Sequence, residues 1–152
     1  MSKIQTKDRL LFHLKEADIH IVRINEVLQE LKKLYPIDYD SLELFELSQK
    51  DKLDVLAFRF SKLQDLLGTK IFREYLDTIG YPIHDKNFLE LLKELQKENI
   101  VDIDKWAEFR GVRNAIAHEY PYNNSEKLEA INYLILNVEY LMEIKRKIET
   151  NI

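Results

Sequence analysis

The sequence predicts an all-α fold, and three observations predict it. Only three glycines and three prolines occur in 152 residues, too few turn signals for a sandwich or a barrel. Apolar residues recur at spacings of three and four through most of the chain, the period of a helix with one buried face. No stretch alternates apolar and polar side chains as a half-buried strand would. At 152 residues, 45% of them hydrophobic and 33% charged, the chain has the length and composition of a single domain spanning 1–152, with neither repeat nor linker.

The elements follow in order. Thr6 is read as an N-cap, after which Leu14, Ala17, Ile21, Ile24, Leu28, Leu31 and Tyr35 form a helical stripe that Pro36 stops. A second long helix is expected from about Ser41 to Ile79, with an interruption near Ser48 to Asp51. Its stripe is Leu53, Leu56, Phe60, Leu63, Leu67 and Ile71, and Gly80-Tyr81-Pro82 ends it. A shorter helix is expected from Asp85 to Glu98, with Phe88, Leu91, Leu92 and Leu95 on one face. After a turn, Asp104 caps a helix running to about Glu119, where Pro121 forbids continuation. Asn124 and Ser125 cap the last helix, carried by Leu128, Ile131, Ile135, Val138 and Met142. The expected architecture is an up-and-down bundle of about five helices, two long and three shorter.

Composition excludes several functions. The absence of cysteine rules out disulfides, thiolate metal sites and thiol nucleophiles. No unbroken apolar run exceeds four residues, so no membrane-spanning segment is expected. The start MSKIQTKDRL has no apolar signal-peptide core, which makes the cytoplasm the expected location. The net charge of −4 means that any nucleic-acid contact depends on a local patch. The acidic stretch Asp38 to Asp54 reads as a solvated helix face, whereas Arg59, Lys62, Lys70 and Arg73 make the later part of the second helix mildly basic.

Of the four histidines, His13, His20 and His84 read as structural or surface residues, and none forms a metal-binding pattern. His118 differs through its company, the segment Trp106 to Pro121. On a helix advancing about 100° per residue, Phe109, Val112 and Ile116 share the core side. Arg110, Asn114 and His118 form a polar stripe on another side, with Arg113 and Ala117 between the two. Two arginines, an amide and an imidazole on one surface favour an anion such as phosphate. The alternative is a solvated face whose arginines pair with glutamates elsewhere in the bundle.

Arg113-Asn114-Ala115-Ile116-Ala117-His118-Glu119-Tyr120 fits an Arg-x4-His-x-Tyr signature. Through it the chain resembles the HepT-like toxins of the HEPN superfamily, including the polar residue directly after the arginine. The resemblance extends over the bundle from about Leu53 to Pro121, including Phe58-Arg59-Phe60-Ser61-Lys62-Leu63-Gln64-Asp65. It implies an endoribonuclease without metal or other cofactor, acting as the toxin of a toxin–antitoxin pair. By that resemblance His118 is the acid/base group and Arg113 the phosphate-stabilising cation, with the RNA's 2′-hydroxyl as nucleophile. Asn114 and Arg110 would support the imidazole or bind RNA. Tyr120 would accept AMP from a minimal nucleotidyltransferase antitoxin.

Arg113 and His118 lie five residues apart, which leaves them about 140° apart around a helix. Two copies meeting along this face would bring both kinds of side chain into one cleft, so a homodimer is expected. Two other functions are compatible with the chain. One is a catalytically silent subunit that presents nucleotide or substrate to a nucleotidyltransferase. The other is a helical dimerisation scaffold.

Overall fold

The computed structural model describes residues 2–117 and 125–152. All their regular structure is helical: α1 (Lys3–Leu34), α2 (Tyr39–Glu43), α3 (Leu47–Leu66), α4 (Phe72–Thr78), α5 (Phe88–Lys97), α6 (Ile103–Ala117), α7 (Ser125–Asn137) and α8 (Glu139–Thr150). A π-turn, Leu67–Ile71, joins α3 to α4 without a break, so the described residues form seven rods rather than about five helices. None of these helices is long and apolar enough to cross a membrane.

The expected long helices are present, with shifted ends. The first begins at Lys3 under a Ser2 cap, where the Ser2 hydroxyl and the Gln5 side chain exchange hydrogen bonds with each other's backbone N–H. Thr6 is not the cap: it is buried one turn inside, its hydroxyl donating to the Ser2 carbonyl at 3.2 Å. The interruption expected at Ser48 to Asp51 falls earlier, between the end of α2 at Glu43 and the start of α3 at Leu47. Asp38 caps α2 by accepting from the Ser41 N–H, so part of the acidic stretch serves helix initiation.

The stop at Gly80 is confirmed and has a geometric cause. Gly80 adopts φ 92°, its N–H donates to Asp77, and Tyr81 N–H donates to Leu76, which closes the C-terminus of α4 in a Schellman turn. Asn99 closes α5 in the same way at φ 59°. Helix α5 starts at Phe88 under Asn87, not at Asp85, because Asp85 itself has φ 63° and cannot be helical. Asp102 rather than Asp104 caps α6, accepting from the Lys105 N–H at 3.0 Å. The last expected helix is two, divided at Val138.

Helix α1 packs antiparallel along the rod made by α3, the π-turn and α4. The order of side-chain pairs shows the direction: Glu30 with Lys52, His20 with Arg59, His13 with Glu74. Between them lie Leu10, Leu14, Ala17, Ile24, Leu28 and Leu31 of α1, facing the expected stripe from Leu53 to Ile71. Tyr35, expected in the stripe, is exposed. Helix α6 is moored on this core by two buried aromatics. Trp106 packs on Phe72, ring centroids 4.8 Å apart, and Phe109 lies among Phe60, Tyr133 and Tyr140.

Candidate functional site

Helix α6 carries Arg110, Arg113 and Asn114 on the rim of the bundle because Trp106 and Phe109 fix its rotation. Phe109 is fully buried, while Val112 and Ile116 pack against the core from its edge, as the sequence indicated. Arg110 and Asn114 then face solvent, and Arg113 is half-sheltered between stripe and core. His118 and Tyr120, the acid/base and AMP-acceptor positions of the motif, lie outside the described residues.

Arg113 is engaged. Its Nε donates to Asp65 Oδ1 at 3.2 Å and its Nη2 to Oδ2 at 3.0 Å, a two-point pairing with a carboxylate from the end of α3. The pairing of an arginine with an acid from elsewhere in the bundle therefore occurs, with an aspartate rather than a glutamate. The geometry also shows what else this guanidinium can hold, since a phosphate presents the same two-oxygen edge. Arg110 forms no hydrogen bond or ion pair with another described residue.

Two cavities flank the Arg113–Asp65 pair and share both residues in their walls. One, of about 430 Å³, also holds Arg110 and Asn114 on its rim, with Thr69, Gly68 and Trp106 behind. The other, of about 380 Å³, is edged by Lys62 and Phe58. The first cavity narrows where Gly68 of the π-turn meets the indole. A Cβ at position 68 would sit 3.2 Å from the Trp106 ring, so glycine permits this approach. Two polar atoms in the same wall, Gln64 Oε1 and Trp106 Nε1, are buried without a hydrogen-bond partner among the described residues. Unpaired buried groups are rare in folded proteins and mark this wall as unusual.

Sequence reasoning missed a second constellation. His13 Nδ1 lies 2.7 Å from Glu74 Oε1, with both side chains largely buried, and both residues line the largest cavity, about 840 Å³. Arg9, Lys70, Arg73 and His84 line it too. The partners are 61 residues apart in sequence, so no local spacing could have paired them. His20 accepts from Arg59 at 3.3 Å, and its pKa is lowered by burial first and by the Arg59 charge second. An arginine can only donate, so this contact needs the imidazole nitrogen unprotonated. Tyr133 donates to Glu108 at 2.6 Å. Burial, then that hydrogen bond, pushes its phenol upward. Among the described residues, no group of three or more histidine, aspartate or glutamate side chains converges to hold a metal ion.

Comparison with protein-family models, with curated proteins and with solved structures returns no match for this chain.

Proposed function

We propose that the chain is a metal-independent endoribonuclease, the toxin of a pair whose antitoxin is a minimal nucleotidyltransferase. The observation that carries this reading is the placement of Arg113 of the Arg-x4-His-x-Tyr motif. Its guanidinium lies on an open groove, beside Arg110 and Asn114, already holding a two-oxygen anion. In the reaction, His118 removes the proton of the RNA 2′-hydroxyl, whose oxygen attacks the adjacent phosphorus. The bond to the 5′-oxygen breaks, that oxygen receives a proton, and a 2′,3′-cyclic phosphate is left. Arg113 takes up the charge that builds on the non-bridging oxygens. The phosphate must replace Asp65 on Arg113. Partly exposed ion pairs of this kind contribute about 0–1 kcal/mol, so the exchange meets little resistance.

The working unit in this reading is a homodimer, which brings one copy's Arg113 toward the other's His118. AMP esters placed on Tyr120 by the antitoxin bring negative charge and bulk to the motif and oppose RNA binding. Purified protein is expected to cut single-stranded RNA in EDTA, with His118→Ala and Arg113→Ala each lowering the rate about 10²-fold or more. Expression of the wild-type chain is expected to arrest growth, and His118→Ala to abolish the arrest. Cleavage that requires a divalent metal, or that survives both substitutions, defeats the proposal.

One observation favours a second reading. Asp65 satisfies Arg113 without any ligand, as a silent binding subunit or a scaffold would allow. In that case expression is harmless, and His118→Ala changes nothing.

A further inference from the structure

Three of the cavities join end to end. The 380 Å³ and 430 Å³ cavities share Asp65 and Arg113, and the 430 Å³ and 840 Å³ cavities share Thr69. The result is a groove along the α3–α4 rod, past the π-turn, into the space between α4 and the start of α1. From Lys62 to Arg73 the rod rises about 16 Å, room for several nucleotides.

Charge separates this groove from the rest of the surface. Seven cationic side chains line it against five carboxylates, although the whole chain carries a net charge of −4. Two of the five, Asp65 and Glu74, are engaged by Arg113 and His13. Each cavity also has an aromatic side chain in its wall. Phe58, 54% exposed, sits at one end and Phe12, 65% exposed, at the other, with Phe88 and Trp106 between. Exposed phenylalanines are costly to keep in water, and here they stand at both ends of a cation-lined groove. Arg59 and Lys62 lie over the Phe58 ring at 5.3 and 5.5 Å, and Phe12 meets His13 edge-on. Cations that track a backbone, alternating with rings on which bases stack, are the physical signature of single-strand binding.

We propose that single-stranded RNA lies along this whole groove, with its phosphates passing from Arg113 across Thr69 to Arg9, Lys70 and Arg73, and with bases stacked on Phe12 and Phe58. The proposal rests on the nuclease reading and gives its substrate a path. In the far cavity, Glu74 occupies His13 Nδ1, which leaves the other ring nitrogen for the strand. Arg73 donates to the Ile83 carbonyl and so ties the loop after α4 to the groove wall. Arg9 and Lys70 have no ion pair among the described residues and are the cations best placed to take phosphates.

The test uses the full chain and a fluorescent twelve-nucleotide RNA carrying 2′-O-methyl groups, which lacks the nucleophile and stays intact. The Arg9→Ala, Lys70→Ala double variant is expected to bind it at least tenfold more weakly than wild type. The slope of log affinity against log salt should become shallower by about 1.4, the loss of two phosphate contacts on a single strand. Phe12→Ala is expected to weaken binding fivefold or more. Lys50→Ala with Lys93→Ala removes the same charge from outside the groove and should leave affinity and slope unchanged. If Arg113→Ala weakens binding but the Arg9, Lys70 and Phe12 variants match wild type, the path is wrong and the nuclease reading stands. If the wild-type chain does not bind this RNA at all, the path and the nuclease reading fall together.

Discussion

The α3–α4 rod offers one carboxylate on each side of its π-turn, and each is held by a basic side chain from another helix. Asp65, before the turn, pairs with Arg113 of α6, and Glu74, after it, pairs with His13 of α1. The first pair is open to water, its side chains 30% and 51% exposed. The second is closed in, at 13% and 14%. Water screens the first and lets an incoming anion compete for the arginine. The second behaves as part of the packing between α1 and α4. Similar chemistry at two points of one rod thus separates into an exchangeable contact and a structural one.

Removing what lies beneath both is expected to have the largest effect. Trp106 is buried, packs on Phe72 of α4 and walls the cavity beside Arg113. Trp106→Ala should cost about 3–5 kcal/mol in urea unfolding, and a loss below about 1 kcal/mol would show that the two sites do not share this support. Glu74→Ala comes next. It leaves His13 with an unmet polar group in a sheltered position and should cost about 1–3 kcal/mol. A double-mutant cycle with His13→Ala should then show coupling between the two, and additive losses would mean that the contact adds nothing. Asp65→Ala should change stability least, by about 0–1 kcal/mol. Removing its charge should also tighten binding of the 2′-O-methyl RNA about fivefold, the equivalent of about 1 kcal/mol of relieved competition and repulsion. Weaker binding would instead mean that Asp65 is needed to aim Arg113.

What the sequence revealed and concealed follows the range of the interactions. The stripe from Leu53 to Ile71 and the face Phe109, Val112, Ile116 were legible because helical burial repeats within a few residues. The gap between α2 and α3 carries no glycine or proline and was placed several residues too late. The division at Val138 was likewise unmarked. The cations of α6 could be grouped by spacing alone, but Asp65 lies 48 residues from Arg113 and only the fold brings it there. The groove was partly signalled. The mild basicity from Arg59 to Arg73 was visible, whereas its continuation onto Arg9 and Phe12 depends on the antiparallel docking of α1.

The π-turn sets the rotational phase between the two halves of its rod. Phe72 N–H reaches back five residues to the Leu67 carbonyl, so the chain winds more slowly there than in the α-helices on either side. Deleting one residue between Leu67 and Ile71 would restore regular winding and swing all that follows by about 100°. Tyr75 and Leu76 would leave the core, Glu74 would turn away from His13, and Lys70 and Arg73 would no longer lie in line with Arg113. The rod is therefore expected to accept many changes of residue type along its exposed side, but no change of length in this one turn.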